Sequence, residues 1–318
     1  QRVNMSTYKE IKGTTVPDLD SDPTNQLGDI FYNSTSNTLK AFNLGSASWA
    51  NGGSMSTARA GNGTSTAGTQ TALTTFGGYT PPGANAVNNT EEYDGSSWSG
   101  GGALPTTIRN CAGAGAQTST LSVGGVGNPG EALEYDGSSW SDGGNMSGIG
   151  SCPGQAFGTQ TAALAFDAEE SEEYNGTSWT SGGAPSRGKI QGGCAGTQTA
   201  GIAFGGEPAN TDAEIYNGTS WTSIPSTPAN RQNQASFGTQ TAAIGAGGHP
   251  PPNGSNACII YDGSSFSTTA NLNTARGQVE GGGTQPAGII CGGWVGSPSG
   301  ATEEFTGPAP ATVTIDTD

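Results

Sequence analysis

Thr90–Trp98 reads TEEYDGSSW, and the chain writes this stretch again as EALEYDGSSW ending at Trp140, SEEYNGTSW at Trp179, AEIYNGTSW at Trp221 and CIIYDGSSF at Phe266. A degenerate copy, LKAFNLGSASW, ends at Trp49, and a truncated one, ATEEFTG, carries Phe305. The landmark aromatics Phe42, Tyr93, Tyr135, Tyr174, Tyr216, Tyr261 and Phe305 lie 51, 42, 39, 42, 45 and 44 residues apart. A period in this range marks a repeat architecture, in which each unit buries its apolar face only against its neighbours.

One unit can be read in full. The segment Thr71–Tyr79, TALTTFGGY, alternates apolar positions and stops at a flexible Gly pair, as a strand does. A loop, TPPGANAVNN, leads to TEEY, and Asp94-Gly95 is a hairpin turn of the Asp-Gly kind before Trp98. Each unit therefore reads as four antiparallel strands, A to D, and no segment shows a capped 3.6-residue period. Strand A is almost all Gly, Ala, Ser and Thr, while strand D carries Trp. Small residues suit a crowded axis and large ones a wide rim, so the expected architecture is an all-β propeller, which leaves only short, protected sheet edges.

Six A–B–C units start near Arg59, Arg109, Gly150, Arg187, Arg231 and Arg276. Before them GDIFYN, TLKAFN and SASWA read as strands B, C and D of an additional unit. After Phe305, ATVTIDTD is one further strand, placed either as strand D of the last blade or as strand A of the first. Seven blades are expected, with six as the alternative. The expected domains are an arm or linker over residues 1–27 and the propeller over 28–318.

An apolar strand ending in Gly-Gly, then Tyr, then Trp, then Arg, resembles the kelch motif. The pairs are Gly77-Gly78, Gly124-Gly125, Gly205-Gly206, Gly247-Gly248 and Gly292-Gly293, and the unit around Asp167 departs from the pattern. The resemblance implies the propeller fold and leaves function open, since folds do not specify activities.

Strand order sends the A–B and C–D turns to one end and the B–C and D–A loops to the other. The A–B turn hardly changes, with GTQT at Gly68–Thr71, Gly158–Thr161, Gly196–Thr199 and Gly238–Thr241, and the C–D turn stays near DGSS or NGTS. The B–C loops differ in length and content, and the residues directly after the Gly pairs are Tyr79, Val126, Glu207, His249 and Trp294. Diversified loops on a rigid scaffold are where binding resides, so this end is expected to recognise a ligand. Arg59, Arg109, Arg187, Arg231 and Arg276 fall at the end of the D–A connection, as one repeat position. They read either as pairing with Glu or loop carbonyls between blades, or as a ring of planar donors for carboxylate or sulfate on a glycan. Tyr79, His249 and Trp294 complete the expected ligand-binding set.

Composition narrows the classes. The 318 residues carry a net charge of −16 with ten basic residues, which excludes a nucleic-acid partner. No run of about 18 apolar residues exists, so membrane insertion is not expected, and residues 1–16 show no signal-peptide core. Five cysteines, Cys111, Cys152, Cys194, Cys258 and Cys291, form no CxxC pair and read as small hydrophobes in strands; no metal or cofactor is expected. His249 is the only histidine, too few for a copper oxidase of the galactose oxidase type, and DGSSW is one residue tighter than the D-x-G-x-x-W box of sialidases. The carboxylate pairs Glu91-Glu92, Glu172-Glu173 and Glu303-Glu304 are adjacent on strands, pointing to opposite faces, so none is a catalytic pair, and one of each reads as solvated. No enzyme is expected.

The join of a short acidic arm, a GDIFYN hairpin and repeats rich in GTQTA is similar to tail-fibre-like surface proteins of marine tailed phages. That resemblance implies a virion surface location, attachment to other virion proteins through the arm, and a host glycan or outer-membrane component as partner; the alternative is a purely structural virion subunit or decoration protein that binds only other virion proteins.

Overall fold

The repeated turn organises each hairpin. Asp94 Oδ1 accepts the N–H groups of Ser96 (2.8 Å) and Ser97 (2.7 Å), while Gly95 takes φ 94°, which glycine adopts freely. Asp136 and Asp262 repeat the arrangement, and Asn175 and Asn217 do so with an amide oxygen. These bonds hold the carboxyls of Asp94, Asp136 and Asp262 down at about 2. The turn sets Trp98 opposite Tyr93, and the same register recurs at Trp140–Tyr135, Trp179–Tyr174, Trp221–Tyr216 and Phe266–Tyr261. Ring centroids in these pairs lie 4.7–5.0 Å apart.

A computed structural model describes residues 16–21, 30–81, 85–127, 130–149, 155–167, 170–186, 191–207, 210–249 and 254–315. It contains seven four-stranded sheets and a small two-stranded one, and no helix among the described residues. The chain divides into two compact units, Ser48–Thr306 and, by itself, Gln1–Ala47 with Gly307–Asp318. The expected propeller span, 28–318, therefore includes residues of both units.

In the larger unit six sheets follow one another as blades. Their inner strands start at Gly63, Ala112, Gln155, Gly193, Ala235 and Glu280, and each neighbours the next until the series closes on itself. The six-blade alternative therefore describes this ring, and the seventh four-stranded sheet belongs to the other unit. The closing strand is a correction to the sequence reading. Ser48–Asn51 pairs with Thr302–Thr306 and sets Trp49 opposite Phe305, with ring centroids 5.0 Å apart. The end of the degenerate copy, Ser48–Asn51, and the truncated copy at Phe305 are thus the two outer strands of one blade, while Thr38–Leu44 of the same copy lies in the smaller unit. The C-terminal strand Pro310–Thr314 instead pairs with Thr38–Leu44 in the smaller unit, where Asp18–Leu19 adds in parallel beside Ile30–Asn33. Residues 1–15 and 22–27 of the expected arm lie outside the described residues.

Adjacent blades are riveted from one end. The glutamine of each A–B turn donates its side-chain N–H to carbonyls of the preceding blade. Gln70 reaches Gly288 and Phe305, Gln117 reaches Leu73 and Tyr93, and Gln160 reaches Thr120 and Tyr135. Gln198, Gln240 and Gln285 do the same farther round. The monotony of GTQT is therefore a packing requirement. The second glutamate of each pair is not simply solvated, contrary to expectation. Glu304, Glu92, Glu134 and Glu173 accept the hydroxyls of Tyr93, Tyr135, Tyr174 and Tyr216 from the next blade. Where the preceding blade has Ile260 in that place, the next blade carries Phe305, which needs no acceptor.

The first glutamate closes a buried clamp. Glu91 accepts the N–H groups of Ser56 (2.7 Å) and Thr57 (3.2 Å), and it pairs with Arg59. Glu303 does the same with Asn273, Thr274 and Arg276, the last at 2.7 Å. Glu172 and Glu214 accept from Ser147, Gly148 and Ser186. In blade 2 the glutamate is replaced by Leu133, the arginine by Ile108, and the donor by Pro105, which has no N–H. Blade 5 has Pro228 and Ile259 in these places. The donor and the acceptor change together, as an unpaired buried carboxylate would demand.

Breaking this clamp on one side gives a defined cost. Glu303→Leu lowers stability by about 3–5 kcal/mol, because it leaves the N–H groups of Asn273 and Thr274 without an acceptor together with the Arg276 guanidinium. Adding Arg276→Ile and Asn273→Pro, the set blade 2 uses, restores most of the loss in a denaturant titration.

The tyrosine bonds give a pH dependence. Burial, then the hydrogen bond to a carboxylate, pushes Tyr93, Tyr135 and Tyr216 up to about 12. A folded-state value above the unfolded one means stability fully present below about pH 10 and lost as pH rises toward 12. Thermal melts between pH 9 and 12 check this, and Tyr135→Phe flattens the dependence.

Candidate ligand-recognition site

The variable end is built on a belt around the axis. Just before five of the six inner strands a residue takes left-handed backbone geometry: Gly61 (φ 59°), Asn110 (51°), Gln191 (60°), Asn233 (53°) and Gln278 (51°). Asn110 N–H donates to Gly61 O at 2.7 Å, Gly61 to Gln278 O at 3.2 Å, Gln278 to Asn233 O at 2.9 Å and Asn233 to Gln191 O at 2.5 Å. A left-handed turn costs L residues roughly 1–2 kcal/mol, which Gly and Asn tolerate best. The belt lines an axial cavity of about 40 Å³, together with Asn62, Cys111, Gln155, Gln234 and Glu280. Its lining is amide-rich with a single carboxyl, and burial pushes that carboxyl, Glu280, up to about 8.

The residues after the Gly pairs bridge to the D–A loops beside this mouth. Tyr79 pairs with Ala60, Val126 with Arg109, His249 with Gln232 and Trp294 with Gly277. Blades 5, 6 and 1 thus present His249, Trp294 and Tyr79 consecutively. Tyr79 and Trp294 ring centroids lie 6.4 Å apart, and the Tyr79 hydroxyl donates to Gln278 Oε1. The His249 imidazole lies against Gly277, where an added Cβ would fall 2.8 Å from it. Burial lowers the His249 pKa, so the ring is neutral at pH 7. His249 and Trp294 are half-buried, Val126 is 38% exposed and Glu207 is exposed.

The arginines separate into two groups. Arg59, Arg231 and Arg276 are buried, each Nη1 donating to the first glycine of a Gly pair (Gly77, Gly247, Gly292) and to the carbonyl of Asn89, Ala257 or Ala301. These three brace the loops, as the pairing reading held, and present no donor ring to a ligand. Arg109 is displaced by one position. Ile108 occupies the bracing place, since its carbonyl accepts from Gly78 as that of Arg231 does from Gly206. Arg109 is half-exposed at the mouth, close enough to Tyr79 to act on its hydroxyl electrostatically. Arg187 lies outside the described residues.

Sequence reasoning missed the belt and Glu280. The available signal was a Gly, Asn or Gln two residues before strand A in five units, a choice that tolerates positive φ.

The larger unit is thus a β-propeller with a braced, monotonous end and a diversified end around a polar axial cavity. No protein-family model matches the sequence, and no curated protein matches it. Among solved structures the chain is similar to one described as "Structure of YjhT", at 11% identity and a TM-score of 0.63, covering 83% of this chain and 99% of that one. At this identity the likeness concerns the fold alone.

The belt geometry has a direct test. Gln191→Val destabilises by about 1–2 kcal/mol relative to Gln191→Gly, because a β-branched residue pays the full left-handed cost. Paired denaturant titrations measure the difference.

Proposed function

We propose that this chain is a kelch-type propeller from the surface of a tailed phage, a non-enzymatic adhesin that recognises a host glycan or outer-membrane component. In this reading the N-terminal region attaches it to other virion proteins and the diversified end faces outward. The observation that carries the recognition part is the grouping of His249, Trp294 and Tyr79 along one side of an amide-lined mouth. Aromatic faces stack on the apolar side of a sugar ring, and amides both donate to and accept from hydroxyls. A cavity of about 40 Å³ is too small for a sugar ring, so the ring rests at the mouth and an exocyclic hydroxyl reaches the belt. The virion assignment is supported by the GTQT turns and the GDIFYN hairpin.

The non-enzymatic reading is supported by the fate of the carboxylates. Glu91, Glu92, Glu172, Glu173, Glu303 and Glu304 are all engaged, in clamps, by tyrosine hydroxyls or in both roles round the ring. Glycoside hydrolysis needs two carboxyl groups about 5–10 Å apart, and Glu280 is the only carboxyl lining the cavity among the described residues.

A glycan array probed with the full chain tests the reading. Binding is expected to at least one host-surface glycan, and Trp294→Ala weakens it tenfold or more while the melting temperature holds. Binding to no glycan or outer-membrane preparation, or equal binding by Trp294→Ala and His249→Ala, overturns it.

A further inference from the structure

The start of strand A is the level at which the blades come closest to the axis. Four blades place Gly63, Ala112, Gly193 and Ala235 there, and two place long polar residues, Gln155 in blade 3 and Glu280 in blade 6. In a six-blade ring these two blades stand opposite each other, and both residues line the axial cavity. Gln155 is 7% exposed; its Nε2 donates to Gly192 O, which fixes the amide and leaves Oε1 without a donor. Glu280 has neither a hydrogen-bond donor nor a cation beside it among the described residues. Asn62 and Gln234 line the same cavity and also carry an oxygen without a donor, lying beside Gly292 and Gly245.

The axis therefore carries a carboxyl and an amide oxygen from opposite blades on one cavity, neither with a donor or cation supplied by the described residues. Buried acceptors left unmatched are costly, so a partner carrying positive charge or protons is called for. We propose that the axial cavity binds a hard, oxygen-seeking cation, with Glu280 and Gln155 as its protein ligands and waters completing the shell. A carboxylate with a neutral carbonyl-type oxygen is the donor set that Ca²⁺, Mg²⁺ and comparable ions accept. The volume exceeds the roughly 10–15 Å³ one water requires, leaving room for an ion with part of its hydration. A single charged ligand sets weak affinity, in the range of roughly 0.1–1 mM typical of extracellular modules. No cluster of three His, Cys, Asp or Glu exists among the described residues, so the proposed site has Glu280 as its one charged ligand. The proposal does not depend on glycan binding.

The full chain is melted at about pH 8.5, above the value of about 8 to which burial raises the carboxyl, with about 10 mM of CaCl₂, MgCl₂ or NaCl against choline chloride of equal ionic strength. At least one cation raises the melting temperature by about 2–4 °C. Glu280→Gln and Gln155→Leu lose that shift, and Glu207→Gln on the outer loop keeps it. No shift with any cation, or the same shift in Glu280→Gln, overturns the proposal. Should the axial variants fail to fold, Mn²⁺ is titrated into the wild-type chain. Side-chain amide signals of Gln155 and Gln191 then broaden before those of Asn175 and Asn217. Broadening in the reverse order, or none at the axis, overturns it equally.

Discussion

A four-stranded sheet of Gly, Ala, Ser and Thr cannot bury enough apolar surface alone, so every blade here depends on its neighbour. The contact that fixes the neighbour's position is the amide of the A–B-turn glutamine, which caps carbonyls on strands B and C of the blade before it. A fixed-length amide bonded to one or two carbonyls tolerates little change in the turn that carries it. Tyrosine-to-glutamate bonds and Trp packing act at the rim on the same pairs of blades. One end of the molecule is consequently held to a narrow set of sequences. The other end, free of these bonds, carries loops of different length.

A chain of such contacts is stable only when it closes. Closure is achieved by Ser48–Asn51, which enters blade 6 as its outer strand, so the first strand of the larger unit completes the last blade. Trp49 then packs on Phe305 and donates its indole N–H to Ala270 O in blade 5, as Trp98 and Trp140 donate to the blades before them. Closure by strand exchange between distant parts of the sequence removes the free edge that an open array would expose.

Much of this was legible because the physics is local. DGSS and NGTS turns, the Tyr–Trp register and the division into two ends follow from the period and from turn chemistry. The assignment of Trp49 to the last blade was not legible, since strand pairing at long range leaves no mark on adjacent residues. The arginines misled for a related reason. Sequence spacing put Arg109 with Arg59, Arg231 and Arg276, yet a one-residue offset moves it from the interior to the mouth while Ile108 takes the buried place. The correlated exchange of Ser56/Glu91 for Pro105/Leu133 was visible in the sequence, but only the fold shows that these positions touch. Glu280 was hidden most deeply, because its character comes from lacking a partner.

Closure is the claim on which the axial cavity, the belt and the two ends all rest, and a crosslink tests it most directly. Ala50 stands opposite Glu304 in the closing pair. The double variant Ala50→Cys/Glu304→Cys, oxidised and mapped by mass spectrometry, joins these positions within one chain and raises the melting temperature. Absence of the 50–304 bridge, or a bridge from position 50 to position 312 or 313 of the C-terminal strand, would contradict the closed six-blade ring.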